Sequence, residues 1–350
     1  MKFIHISDVH LGIIPDKGRP WSMARAAEVE ETFDRILEIV EERRADLLLV
    51  AGDLFHTPPK VADLDKLDSK LSRLTKARTV IIAGSRDRIE KDSPASDYEF
   101  KSNTVILPAG QFSNAYFEDI NTCVTGFSYE KAEYTESFAA GIAPQQEGAT
   151  NILLMYGGDS RHGGFDFKAI SEAGFDYVAL GQLRKPKHMV KNRMAYPGSP
   201  EPVSHVDTGK HGFIYGQIIK GETRIKWEPI AVREYVNLGL EIKPQYTGAQ
   251  IVNVIKNQID RMGIQNIYKI VLKGQKGKNV DIKTSDFPES YLIYDVVDNT
   301  TFDFNTDSLA RDNYNNVIGR FISELNNKED VVSKKALSYG LDAMIATGEK

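Results

Sequence analysis

Cysteine is almost absent from this chain. The one thiol, Cys123, has no internal partner, so no disulfide framework exists and the fold rests on its own core. Long apolar runs are missing too. The longest, such as Leu47 to Ala51 and Val80 to Ala83, fall far short of the roughly 20 residues a bilayer-crossing helix requires. Neither sign of charge dominates: 44 basic against 49 acidic side chains give a net charge of -5. No global field therefore draws the chain to nucleic acid or anionic lipid, and any DNA contact must be local or shared with a partner. There are no internal repeats, low-complexity tracts or long linkers. The pairs Gly157-Gly158 and Gly163-Gly164 lack both the spacing of a P-loop and its following Lys-Ser/Thr. The opening Met-Lys-Phe-Ile-His-Ile-Ser-Asp turns polar too early for a signal peptide's apolar core. These absences point to a cytoplasmic protein without membrane contact.

What is present is a 350-residue chain with 41% hydrophobic content, enough for one large core and a smaller second one. Its first 180 residues alternate short apolar runs with helix-period segments, the α/β pattern. Lys2 to Ile6, Asp46 to Ala51, Thr79 to Ala83, Asn151 to Tyr156 and Asp176 to Leu180 read as buried strands. Val29, Phe33, Ile36, Leu37 and Val40 line one side of a helix from about Ser22 to Arg44. Gly212 to Ile219 and Thr223 to Ile230 read as a hairpin around Lys220-Gly221-Glu222, closing a first domain over residues 1–230. A small α/β cap is expected over 231–306, with strands near Tyr235 to Ile242, Tyr268 to Leu272 and Tyr291 to Val297 and a helix near Gly248 to Met262. The tail, 307–350, reads as helices over Asp307 to Leu325 and Glu329 to Ile345, with Val317, Ile318, Phe321, Ile322 and Leu325 on one stripe.

Three strand ends carry polar residues that a sheet has no packing use for: Asp8-Val9-His10, Gly52-Asp53 and Gly84-Ser85-Arg86-Asp87. In an open α/β sheet such ends line the ligand crevice. Asp-x-His offers an oxygen and a nitrogen ligand on one short loop, and an Asp from the next strand adds a third donor for a divalent ion. Taken singly, each acid is more often a turn or helix cap. Their recurrence at three successive strand ends favours a site.

Ile6-Ser7-Asp8-Val9-His10-Leu11-Gly12, Ala51-Gly52-Asp53-Leu54-Phe55-His56 and Tyr196-Pro197-Gly198-Ser199-Pro200-Glu201-Pro202 resemble the signatures of calcineurin-like metallophosphoesterases, in particular the SbcD-type DNA repair exonucleases. The tail is similar to that branch through Asn316 to Phe321 and Ala336 to Ala343. The resemblance implies a four-layer α/β/β/α sandwich with a small C-terminal α/β cap and terminal helices. It also implies two metal ions about 4 Å apart that clamp a phosphodiester while a bound hydroxide attacks. Asp8, His10 and Asp53 match the first Asp, its His and the bridging Asp of the family, and Asp87 is likewise retained. The remaining positions differ. Ser85 stands for the family's Asn ligand and Arg86 for its catalytic His, while Tyr156, Gln182 and Arg184 stand for three further His ligands.

On this reading Ser85, Tyr156, Gln182 and Arg184 are lost ligand positions. Neutral hydroxyls bind metal poorly, an amide oxygen weakly, and a permanently protonated guanidinium not at all. One weakly bound Mn or Mg at Asp8, His10 and Asp53, or none, is expected, and a two-metal centre is not. Without cations, Asp8, Asp53 and Asp87 would crowd as like charges; Arg86 and Arg184 are expected to turn inward and bond Asp8 and Asp53. Loop residues His56, Asp159, His162, His188 and His205 are available as substitute ligands, though a loop His is more often a surface residue. The basic run Lys185-Pro186-Lys187-His188 with Lys191-Asn192-Arg193 is more simply a solvated loop than a phosphate contact. The leading reading is a pseudoenzyme: a scaffold or regulatory subunit, dimeric, joined to an SbcC-like coiled-coil ATPase that the C-terminal helices grip, with DNA reached through that complex. A residual single-metal nuclease or phosphodiesterase is the alternative. A module holding phosphate between Arg86 and Arg184 is a third.

Overall fold

The computed structural model describes residues 1–136, 141–277 and 280–347. The chain divides into two units, Met1–Glu234 and Tyr235–Lys350. In chain order the first contains β1 (Lys2–Ile6), α1 (Ser22–Glu42), β2 (Leu47–Ala51), α2 (Val61–Leu71), β3 (Arg78–Ile82), β4 (Thr104–Ile106), β5 (Ser113–Phe117), β6 (Thr122–Gly126), β7 (Thr150–Tyr156), α3 (Phe167–Glu172), β8 (Tyr177–Gly181), β9 (Lys187–Val190), β10 (Met194–Tyr196), β11 (Gly212–Ile219) and β12 (Glu222–Pro229). They form two six-stranded sheets, ordered β12-β11-β1-β2-β3-β4 and β5-β6-β7-β8-β10-β9.

Strands β1 to β4 run parallel, as do β6, β7 and β8. Parallel strands covered on both faces read as unbroken apolar runs, which explains why β2 is Leu-Leu-Leu-Val-Ala and buried throughout. The strand period of two then sorts the side chains. Ile4, Ile6, Leu48, Val50 and Ile81 meet Val29, Phe33, Ile36 and Leu37 of α1 and Leu67 and Leu71 of α2. Phe3, Leu47, Leu49, Ala51, Val80 and Ile82 face Val124, Ile152, Leu154, Tyr177 and Ala179 of the other sheet. On that sheet's far side, Leu153, Met155, Val178 and Leu180 pack on Phe165, Ile170 and Phe175. Four layers result: helices, sheet, sheet, helix. The hairpin β11–β12 belongs to the first sheet, because β11 pairs antiparallel with β1.

The second unit holds β13 (Tyr235–Ile242), α4 (Gly248–Met262), β14 (Ile267–Lys276), β15 (Ile293–Asp298), β16 (Thr301–Phe302), α5 (Thr306–Asp312), α6 (Val317–Leu325) and α7 (Val331–Thr347). Its strands are parallel, β13-β14-β15 with β16 beside β14, and Ile251, Ile255 and Ile259 of α4 are buried against them. The single helix expected over Asp307 to Leu325 is two. The break falls at Asn313 to Asn316, where the Asn316 side chain accepts from the Gly319 N–H at 3.2 Å and starts α6 afresh. No helix among the described residues is long and apolar enough to cross a membrane.

The Glu201 of the third signature motif helps tie the first unit together. Arg25 on α1 is fully buried and pairs with Glu28 and with Glu201, the latter at 3.1 Å. Its guanidinium also donates to the Pro202 carbonyl at 2.6 Å. Thr32 and the Val232 N–H both donate to Glu201, and Arg233 pairs with Glu28. Removing one member strands the others in low dielectric. Arg25→Ala should therefore lower the unfolding free energy by about 3–5 kcal/mol, measured by urea denaturation; a loss below about 1 kcal/mol would show that these ions do not anchor the helix.

Candidate metal centre

The site forms where the first and second signatures leave β1 and β2. Beyond the strand ends their loops stay hydrogen-bonded: the Asp8 N–H donates to the Gly52 carbonyl, His10 N–H to the Asp53 carbonyl, and Leu11 N–H to the Leu54 carbonyl, at 2.8–3.0 Å. This pairing brings the three candidate ligands to one point. One ligand atom each from Asp8, His10 and Asp53 lies within 4.8 Å of the others, and all three residues are buried. Their backbones sit in the left-handed region, φ 54°, 56° and 51°, and Gln182 also has positive φ, 107°. Left-handed non-glycine residues are uncommon, and four at one site mark backbone held against its preference to aim side chains inward.

Asp8 Oδ2 accepts the Gln182 backbone N–H at 3.0 Å. Asp53 receives the Arg86 backbone N–H on Oδ1 and the Tyr156 hydroxyl on Oδ2, each at 2.8 Å. Asp87 lies differently from the other acids. Its carboxylate accepts the N–H groups of Gly84, Asp53 and Phe55 at 2.7, 3.2 and 3.1 Å, fastening the second loop to the third. That is a loop-holding role. His10 contrasts with all of them, since both ring nitrogens are buried without a hydrogen-bond partner. Its ring meets His56 edge-on at 5.5 Å.

Burial dominates the electrostatics. It raises Asp8 and Asp87 to about 6 and pushes Asp53 well above the usual carboxylate range, with the neighbouring charges of Asp87 and Asp8 adding to the last. Burial also lowers His10 to about 3, helped by Arg184, His56 and Arg86. A neutral imidazole with free nitrogens beside two carboxylates suits one divalent ion.

The expected inward arginines are a correction. Arg184 pairs with Asp207 at 3.2 Å, and Arg86 is exposed. Among the described residues neither guanidinium bonds Asp8 or Asp53. The physical reason is local. The Arg86 N–H already turns to Asp53, which sends its side chain outward, while Asp207 is fixed beside Arg184 by the Val203 and Ser204 N–H groups. Both charges still bear on His10 through space. Gln182 turns its amide to Asp159 and to His162, whose Nδ1 is 2.8 Å from Asp159. His188 is exposed on β9. The third signature serves this region indirectly: the Ser199 N–H donates to the Arg184 carbonyl at 3.0 Å, and Tyr196 OH to the Gly157 carbonyl at 2.8 Å. Asp207 was not legible in the sequence, since it belongs to no motif, and Gln182, read there as a lost ligand, reaches Asp8 through its backbone N–H instead of its side chain.

The family model for calcineurin-like phosphoesterases matches residues 1–192, more than half of the chain. The chain belongs to this family. Within it the likeness runs to SbcD-type repair proteins. "DNA double-strand break repair protein Mre11" of Methanopyrus kandleri is 29% identical over 230 residues, covering 59% of this chain and 50% of that one. The SbcD subunit of the SbcCD nuclease of Escherichia coli K12 is 26% identical over 262 residues, covering 61% and 64%. The matched region thus spans between half and two thirds of these curated relatives. A solved structure, TT1561 of Thermus thermophilus, aligns over 64% of this chain and 97% of its own at 12% identity with a TM-score of 0.38, too low to carry an argument.

For this family member, pH reports the burial of Asp8. Its carboxyl keeps a proton to about 6 when folded but only to 3.8 otherwise, so its contribution to stability is present at low pH and is lost as pH rises through that interval. Asp8→Asn cannot ionise. In chelator it should match the native protein near pH 4 and exceed it at pH 7 by on the order of 2–3 kcal/mol; urea unfolding at both pH values checks this, and a lower stability for the variant at pH 7 would contradict it.

Proposed function

We propose that this chain is an SbcD/Mre11-type subunit whose centre holds at most one weakly bound Mn or Mg ion and which acts mainly as a scaffold or regulatory subunit. One observation carries the reading. Asp8, His10 and Asp53 converge, whereas at the other ligand positions Ser85 meets Tyr156, Tyr156 donates its hydroxyl to Asp53, Arg184 pairs with Asp207, and Gln182 gives its amide N–H to Asp159, leaving only its weakly ligating amide oxygen without a partner. Three donors fit one ion. A pair of hydroxyls, an amide and a paired guanidinium do not fit a second.

When bound, the ion would supply Lewis-acid polarisation of a phosphodiester oxygen. Asp8 and Asp53 would hold it by oxygen and His10 by a ring nitrogen. At the position of the family's catalytic His stands Arg86, exposed and permanently protonated, which cannot hand a proton to a leaving oxygen. General acid catalysis is typically worth 10²- to 10⁴-fold, so turnover suffers accordingly. A single-metal nuclease or phosphodiesterase is the second reading, favoured by the unpartnered nitrogens of His10.

A partner follows from the named relatives, one of which is a subunit of SbcCD. We propose an SbcC-like coiled-coil ATPase as partner, a cap over 231–306, and a contact surface in 307–350, where Val331, Val332 and Tyr339 of α7 are exposed. DNA is reached through that complex, with two copies of this chain in it.

Metal analysis after dialysis against Mn²⁺ should find no more than one ion per chain, and none in His10→Ala. DNA degradation in Mn²⁺ should run about 10²-fold or more below an active SbcD-type nuclease. Two ions per chain would overturn the proposal; one ion with rapid strand degradation would establish the second reading instead.

A further inference from the structure

Tyr156 ends β7 only 3% exposed, and every side of its ring is occupied. The Tyr129 ring lies edge-on at 5.2 Å and its hydroxyl donates to the Tyr156 carbonyl at 3.0 Å. His162 approaches edge-on at 6.1 Å. Gly52 and Gly84 supply the remaining wall. A Cβ on Gly52 would come within 2.3 Å of the ring, and one on Gly84 within 2.6 Å, so the phenol fits because both loops are bare at that point. The ring cannot swing aside, and its position delivers the hydroxyl to Asp53 Oδ2 at 2.8 Å with Ser85 Oγ 3.1 Å away.

We propose that Tyr156 is a neutral plug: its hydroxyl, donated to Asp53 and backed by Ser85, occupies the carboxylate face a second cation would need and limits the centre to one ion. The inference rests on the one-ion reading above and names the residue that enforces it. A phenol proton satisfies Oδ2 without bringing a full charge into the crevice. Burial raises the hydroxyl's pKa, so it stays a donor at ordinary pH. An ion approaching Asp53 must compete with that bond. Tyr156 is thus a positioning residue that acts through Asp53.

Tyr156→Phe keeps the ring and removes only the donor. Because Phe supplies no ligand of its own, isothermal titration with Mn²⁺, read together with manganese EPR, should still give one site in both proteins, but with Asp53 freed of the competing donor the ion should bind about tenfold more tightly in the variant, the scale expected for losing a hydrogen bond to a charged group. A role in packing alone would leave the affinity unchanged, and equal affinity overturns the plug while the one-ion reading stands. Two ions on the native protein would sink both. If circular dichroism finds the Phe variant unfolded, the decision passes to Ser85→Asn with Tyr156→His, which replaces both hydroxyls by an amide and an imidazole. A second Mn²⁺ equivalent there supports the plug; a single one refutes it.

Discussion

Three carboxyl groups buried within one crevice are the constraint around which this structure is organised. Asp8, Asp53 and Asp87 are each no more than 4% exposed, and each is pushed toward its protonated form chiefly by burial. Like charges at such depth are tolerated only with donors aimed at them. The fold supplies those donors largely from its main chain. Gln182, Arg86, Gly84, Asp53 and Phe55 all give backbone N–H groups to one of the three acids. Loops constrained to do this must adopt unusual dihedrals, and the positive φ values of Asp8, His10, Asp53 and Gln182 follow.

The layers determine where those loops end up. Because β1, β2 and β3 are parallel neighbours, their C-terminal ends emerge side by side and their loops converge. The second sheet packs face-on, which brings Tyr156 at the end of β7 and Gln182 just past β8 to the same crevice. Side chains from four parallel strands and one backbone amide from a fifth segment thus meet at a point. Remote parts matter equally. Glu201, twenty residues past the last strand end of the crevice, anchors α1 through Arg25, and the segment before it carries Ser199, which holds the Arg184 loop.

Much of this was legible in the sequence because burial on both faces writes itself as apolar runs. The strands read at Lys2 to Ile6, Tyr235 to Ile242 and Gly212 to Ile219 have those bounds in the structure, and α4 spans Gly248–Met262 as its periodicity indicates. The convergence of Asp8, His10 and Asp53 followed from their places at strand ends. Shorter elements were not visible: β4, Thr104–Ile106, is three residues and partly exposed, and β5, Ser113–Phe117, is buried only at Ala115. A period of two needs more residues than these to stand out. What the sequence could not supply was the direction of side chains. Arg86 and Arg184 look like natural counter-ions to the acids, yet which way a loop arginine points depends on neighbours such as Asp207 that lie in no motif.

The choice of phenol over guanidinium inside the crevice has a physical basis. A guanidinium brought to Asp53 would neutralise one charge, but it must itself be stripped of water, at a cost of several kcal/mol that only excellent geometry and full hydrogen bonding recover. Arg25 comes near that standard, with two carboxylates and a carbonyl around its two terminal nitrogens. Nothing comparable surrounds Asp53, where the available space is bounded by two glycines and an aromatic ring. A tyrosine brings its own apolar surface to fill that space and leaves only one hydroxyl to satisfy, which Asp53 and Ser85 do. The arginines stay at the rim, Arg86 exposed to water and Arg184 paired with Asp207; the field of both still reaches His10, and that of Arg184 reaches Asp8. Short-range neutrality from a phenol and long-range positive potential from rim arginines therefore divide between them a task that one buried cation would otherwise perform.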